Sequence, residues 1–224
     1  MKQSHAVGSR MGPCLQNAVH TGPTILAGAF ACALLLVAGC SGGSAVPAIS
    51  PDEAAKQALA EYDTNKDGVL DEKELGSCPA LKSALKKIDK NQDGRLTADE
   101  IADRLKSFQQ QGIMTSARVE VALDGAPLAG ATVTLLPEKF MGPTYKPASG
   151  LTDPAGWAPF NVEGSSDGLV PLGYYRIEIS KKKANGQEMI PAKYNTKSVL
   201  GCEVAPESEE RGGGGTIKLR LTSR

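Results

Sequence analysis

The chain has 224 residues, enough for one or two domains. Twenty-five Lys and Arg balance twenty-five Asp and Glu, so the chain lacks the basic excess that phosphate contacts require, and no nucleic-acid partner is expected. Aromatic residues make up 4% of the sequence, which predicts small cores.

The first forty residues contain no acid, carry Lys2 and Arg10, and then run T-I-L-A-G-A-F-A-C-A-L-L-L-V-A from Thr24 to Ala38. A basic start, an apolar stretch short of a membrane span and a small-residue exit predict a secretory signal over residues 1–39 rather than a retained anchor helix. A start at Met11 would lose both basic residues of this leader, so the pattern favours Met1. The exit, V-A-G-C from Val37 to Cys40 followed by S-G-G-S, resembles the lipobox of bacterial lipoproteins. The resemblance implies cleavage before Cys40, lipids carried by that cysteine, and a chain secreted across the inner membrane and anchored in the cell envelope. Cleavage would remove His5, His20, Cys14 and Cys32. No imidazole would then remain for acid/base work or metal binding. Loss of Lys2 and Arg10 would leave 23 basic against 25 acidic side chains, a charge of about −2.

Residues 40–50, rich in Gly, Ser, Ala and Pro, read as a lipidated flexible tether. Ser50 as N-cap, Pro51 at the first helical position, Asp52 and Glu53 in the first turn and an Ala-rich run to Tyr62 predict a helix. The helix leads into D-T-N-K-D-G-V-L-D-E-K-E, Asp63 to Glu74, and a second copy, D-K-N-Q-D-G-R-L-T-A-D-E, runs from Asp89 to Glu100. Between the copies, Gly76 ends one short helix and Pro79 starts another with Leu81, Leu85 and Ile88 at helical spacing. After Glu100, Ile101, Leu105 and Phe108 share one face of a further helix, which Thr97 and Glu100 open as a capping box.

A cation with six to eight oxygen ligands needs a loop that folds back on itself, with one backbone carbonyl and a closing bidentate acid. The first copy offers Asp63, Asn65, Asp67, the carbonyl of Val69, Asp71 through water, and Glu74, with Gly68 at the sharp turn. The second offers Asp89, Asn91, Asp93, the carbonyl of Arg95, Thr97 and Glu100, with Gly94 at the turn. Leu70 and Leu96 stand where paired loops meet in a short two-stranded contact. This arrangement resembles a pair of EF-hands over residues 51–112, which implies two calcium sites. The closing glutamates distinguish it from dockerins, whose loops usually end in Asp. Hard oxygen donors and bidentate closure favour Ca2+ over magnesium. Four acids in the first loop against three in the second predict tighter binding in the first. The spacer, only Leu75 to Ile88, argues against a wide opening and for calcium held mainly as a structural element.

Gln109 to Ser116 reads as a helix end and linker, with Gly112 as the stop. Beyond it the apolar period becomes two: Val119, Val121 and Leu123; Val133 and Leu135; Tyr175, Ile177 and Ile179; Ile217, Leu219 and Leu221. Turn signals at D-P-A-G, S-S-D-G and A-N-G separate these runs. About seven strands over residues 116–224 predict an antiparallel β-sandwich, so the whole is a multi-domain α + β chain. Glu207 to Gly215 reads as a loop before the last strand.

V-E-V-A-L-D-G-A-P-L-A-G-A-T-V-T-L-L-P-E, Val119 to Glu138, with T-D-P-A-G-W at 152 to 157, resembles the carboxypeptidase regulatory-like or transthyretin-like sandwiches. L-G-Y-Y-R-I-E-I-S-K and I-P-A-K-Y-N-T-K-S resemble segments of planctomycete lipoproteins that carry this domain. Such motifs specify fold better than function. Hydroxyisourate hydrolysis, the activity of one related family, uses histidines that the processed chain lacks. The Lys-Asn isopeptide of another needs a lysine in the first strand, and R-V-E-V-A-L has none. No catalysis is expected.

Cys78 and Cys202 would be the remaining thiols, and they either bridge the two regions or stay separate. Trp157, Tyr174 and Tyr175 are candidates for a ligand platform, or else core aromatics. The sequence thus reads as a non-catalytic, calcium-binding envelope lipoprotein that contacts the membrane through Cys40. The competing reading is an adhesion module that binds an envelope protein or polysaccharide through the β region, with calcium rigidifying it.

Overall fold

A computed structural model of the protein describes residues 49–206 and 216–224. The signal over 1–39, the lipobox with Cys40, nearly all of the tether and the loop at 207–215 lie outside the described residues. Among the described residues no helix is long and apolar enough to cross a membrane.

The helical region follows its local signals closely. Helix α1 spans Pro51–Tyr62, with Pro51 in its first turn and Ser50 at the N-cap, although the serine side chain makes no capping bond. Strand β1 (Val69–Leu70), α2 (Glu72–Leu75), α3 (Pro79–Ile88), β2 (Leu96–Thr97) and α4 (Ala98–Gln111) follow in order. Both loop exits carry capping boxes, Thr97 with Glu100 and Asp71 with Glu74. Reciprocal caps of this kind satisfy amides that a helix start otherwise leaves orphaned. Such a cap is what makes a four-residue α2 tenable.

Strands β1 and β2 pair antiparallel, with Leu70 opposite Leu96. Both leucines are fully buried, and each contributes about 1.5–3 kcal/mol by leaving water. The two loops are therefore one packed unit. Gly112 ends α4 in the left-handed region, at φ 111°.

The segment expected to be a linker is instead a strand. Met114–Ser116 forms β3 and pairs antiparallel with Leu169–Pro171, β10. Among the described residues ten further strands follow β3, including β10: β4 (Arg118–Leu123), β5 (Ala126–Pro127), β6 (Thr132–Pro137), β7 (Ala148–Leu151), β8 (Trp157–Pro159), β9 (Asn161–Val162), β11 (Gly173–Ser180), β12 (Leu200–Val204) and β13 (Thr216–Leu221). The expected seven strands are thus exceeded, mainly by pieces of two to four residues that periodicity does not register.

The larger sheet has the order β12-β11-β6-β7-β9. The smaller is β13-β4-β5, with β8 also paired to β4. Pairing is antiparallel except between β4 and β13, where Val119 lies beside Ile217 and Val121 beside Leu219 in parallel. Alternate residues of both sheets, among them Val133, Leu135, Ile177 and Ile179 with Val119, Val121, Ile217 and Leu219, join one buried apolar cluster.

The helices and strands belong to one compact unit. Helix α3 packs on β12 and β11, and α1 on the 3-10 turn Lys139–Met141 that follows β6. The register of β11 with β12 assigns the faces. Tyr174 opposes Glu203 and Arg176 opposes Gly201, whereas Tyr175 opposes Cys202. The Tyr174 ring meets Phe108 of α4 at 5.8 Å and Phe140 at 5.9 Å, so its face is the one the helices cover. Tyr175 faces the other way, beside Tyr145, and Tyr174 and Tyr175 are both fully buried. They are core residues, which removes them from the candidate ligand platform and leaves only the half-buried Trp157.

The same parity decides the cysteines. Cys78, at the N-cap of α3, lies on the helical side of the sheet, beside Ser77, whose carbonyl accepts from Arg176 Nη2 at 3.0 Å. Cys202 shares the opposite face with Tyr175. The sheet stands between the two thiols and they form no bridge with one another. Burial first, and the nearby Glu138 charge second, push the Cys78 thiol up to about 12. A buried thiol with so little thiolate is a poor nucleophile. Iodoacetamide at neutral pH is accordingly expected to leave Cys78 unlabelled in the folded protein and to label it on denaturation. Rapid native labelling, read by peptide mass, would contradict this placement.

Candidate metal centre

Each loop starts at a helix C-terminus. Asp63 and Asp89 are the C-cap residues of α1 and α3, with extended backbones whose amides still bond back to Leu59 and Leu85. The chain then turns through left-handed conformations at Lys66 and Gly68 in the first loop and at Gln92 and Gly94 in the second. Those turns curl the backbone around the acids. Gly68 N donates to Asp63 Oδ2 and Gly94 N to Asp89 Oδ2, both at 2.9 Å. The Asx turns of Asn65 and Asp67 recur at Asn91 and Asp93, with Asp67 N and Asp93 N donating to the asparagine oxygens at 2.8 and 2.9 Å.

The closing glutamates reach across their loops. Glu74 is buried, and its Oε1 accepts from Thr64 N at 2.8 Å and Asn65 N at 3.2 Å while Oε2 accepts from Asp71 N at 3.1 Å. These donors, the Asp71 amide foremost, hold its carboxyl below the usual glutamate range. Glu100 repeats the pattern, from Lys90 N at 3.2 Å and Thr97 N at 2.9 Å.

Two observations test the fit of a cation. In the first loop, carboxylate oxygens of Asp63, Asp67 and Glu74 lie within 4.8 Å of one another. In the second, Oδ1 of Asp89 is buried with no hydrogen-bond partner. Gathered carboxylates repel, and a buried orphan oxygen is costly, unless a cation sits among them. Oxygen-only donors with a glutamate able to bind through both oxygens suit calcium. Among the described residues, Asp63, Asp67 and Glu74 are the one such gathered set of three, so the second loop holds its acids further apart. The remaining candidate residues divide by role. Val69 opens β1 and Arg95 precedes β2, at the positions from which a carbonyl would be supplied. Asp71 Oδ1 and Thr97 Oγ1 accept from the α2 and α4 amides as caps. Across the loops, Arg95 Nη1 stands 4.0 Å from Asp67 Oδ2 as a solvent-exposed pair.

The sheet adds residues that the motif did not indicate. Glu138, buried just after β6, accepts at Oε2 from the Tyr62 hydroxyl at 2.8 Å. Burial pushes its carboxyl up, against the opposing effects of the Tyr62 bond and the Arg176 charge. Glu203, buried in β12, accepts from Arg104 of α4 and pairs with Lys87 of α3. The available signal was an acid inside an apolar run, as in G-C-E-V-A and L-L-P-E, since a buried carboxylate requires partners.

Two stretches of the chain, residues 55–79 and 81–106, match the family model described as EF hand. Each contains one loop with the helices on either side, and together the two matches support calcium binding at two sites. A search of curated proteins found no match. A search of solved structures likewise found none.

Proposed function

We propose that the two EF-hand matches serve a structural calcium-binding role in a non-catalytic, lipid-anchored protein of the cell envelope. One observation carries this reading: the apolar faces of the helices are already occupied by the sheet of the same chain. A sensor EF-hand pair opens on calcium to bare an apolar groove for a target. Here Phe108 packs on Tyr174, Tyr62 meets Phe140 edge-on at 6.4 Å, and the start of α3 touches Gly201 of β12. Opening would strip these aromatics and expose the ion pair of Arg104 with Glu203. Calcium would therefore brace the loops against the sheet rather than release a target surface.

The envelope address rests on V-A-G-C and the leader before it, with Cys40 as the lipid-bearing residue and the membrane as the first partner. The β region is taken in the same reading as a transthyretin-like sandwich, supported by the alternating buried residues of its long strands. The adhesion alternative, binding a polysaccharide or an envelope protein, keeps Trp157 alone of its three aromatic candidates.

Thermal unfolding with and without calcium tests the proposal. Trp157, the one tryptophan, reports the β region by fluorescence, and far-ultraviolet circular dichroism reports the helices. A ligand at about 100 times its dissociation constant adds about 2.7 kcal/mol per site. Both signals are expected to shift upward together when calcium replaces chelator. A midpoint indifferent to millimolar calcium would overturn the brace.

A further inference from the structure

The second loop is spanned from outside the helical region. Glu203 sits in the middle of the buried residues of β12, on the face that the helices cover. Its Oε1 accepts from Arg104 Nε at 2.8 Å and its Oε2 from Arg104 Nη2 at 3.1 Å, a two-point guanidinium contact. Lys87 Nζ adds a third cationic contact at 3.2 Å to Oε2. Lys87 lies two residues before Asp89, the first acid of the loop, and Arg104 lies one helical turn after Glu100, the last. One carboxylate on the sheet thus holds both the entering and the leaving helix of the same loop.

Position is the benefit such a group supplies. A buried ion pair adds little net stability compared with an apolar filling of the same shape, because desolvation offsets the attraction. What the fork of an arginine on a carboxylate does impose is direction and distance. The loop needs that constraint, since its acids are the less gathered of the two sets and one of them, Asp89, keeps an unpartnered buried oxygen.

We infer that Glu203 is a positioning residue for the second calcium loop, setting the separation of Asp89 and Glu100 through Lys87 and Arg104. The inference rests on the calcium reading above. It makes a residue about one hundred positions away in sequence part of the affinity of that loop. The first loop has a counterpart in Glu138, which holds the entering helix through Tyr62.

Calorimetric titration of the full chain with Ca2+, one loop silenced at a time, tests it. With the first loop silenced by Glu74→Gln, adding Glu203→Gln is expected to weaken the second loop about tenfold, the scale of losing a group that orients a metal ligand. With the second loop silenced by Glu100→Gln, the same change is expected to leave the first loop within about twofold, well inside that scale. Arg104→Lys, which keeps the charge and loses the fork, is a milder second variant should Glu203→Gln fail to fold, and is expected to weaken the second loop selectively. A lowered melting midpoint with unchanged calcium affinity would make Glu203 merely structural and overturn the inference. Equal weakening of both loops would overturn it as well. An unaltered chain that takes up no calcium would overturn the calcium reading itself, and is told apart because it appears before any substitution.

Discussion

Glu74→Gln is expected to cut calcium uptake from two ions to one. The side chain closes the first loop with both oxygens, and glutamine keeps only one oxygen and no charge. The environment of Glu74 makes the exchange worse than the lost charge alone. Its two oxygens accept from backbone amides on opposite sides, Thr64 N and Asn65 N at Oε1 and Asp71 N at Oε2. Whichever way a glutamine amide turns, its NH2 group faces backbone donors, so at least one of them is left unsatisfied. The reciprocal cap with Asp71 that starts α2 is lost in one of the two orientations. Loss of a group that only orients a metal ligand costs up to about 100-fold in affinity, and a ligand should cost at least as much. Calorimetry is expected to count one remaining site of near-normal strength. Two sites of unchanged affinity would remove Glu74 from the metal shell. Glu100→Gln should mirror the result in the second loop, where Glu100 bridges Lys90 N and Thr97 N in the same manner.

How much of this was legible in the residues follows from the range of the interactions involved. Loop turns, caps and helix starts are set by neighbours within about ten positions, so D-x-N-x-D-G, Thr97 with Glu100 and Pro79 all announced their roles. The pairing of Leu70 with Leu96 was readable for the same reason, because the repeat places equivalent residues in register. The β region depends on partners far away. Residue 118 meets residue 216 across 98 positions, and nothing local indicates that this pair runs parallel. Side-chain parity has the same origin, since a one-residue change of register moves every side chain to the other face. Cys78 and Cys202 were therefore equally compatible with a bridge and with separation until β12 was aligned on β11. Tyr174 and Tyr175 were obscured differently. Adjacent strand residues are expected to alternate between core and solvent, yet here the helical pair replaces solvent, and both rings are buried. The short Met114–Ser116 strand, read as linker, escaped for want of length: three residues carry no period.

The packing of α3 on β12 can be tested at a single atom, and Gly201→Ala should break it. A methyl group at Gly201 would overlap the Ala80 nitrogen and the Pro79 carbonyl carbon and come within 2.6 Å of Ala80 Cα. All three are backbone atoms at the start of α3, so no flexible side chain can yield, and the strand and helix must move apart. Forcing extra volume into a packed interior costs about 1–3 kcal/mol, and the rigidity of this contact argues for the upper end. A strand otherwise gains slightly from exchanging glycine for alanine, so a loss here isolates the contact. At about 2–4 °C per kcal/mol for a unit of this size, the melting midpoint should fall by about 6–12 °C. The more specific consequence concerns cooperativity. Glu203 is two residues beyond Gly201 on the same face, so displacing α3 also loosens Lys87 and Arg104 and, through them, the second loop. Trp157 fluorescence and the helical dichroism should then separate into two transitions, with calcium raising the helical one by more than the other. A single transition at the unaltered midpoint would mean that α3 does not rest on β12 at this glycine, and the brace would have to act through the contacts of Phe108, Arg104 and Tyr62 instead.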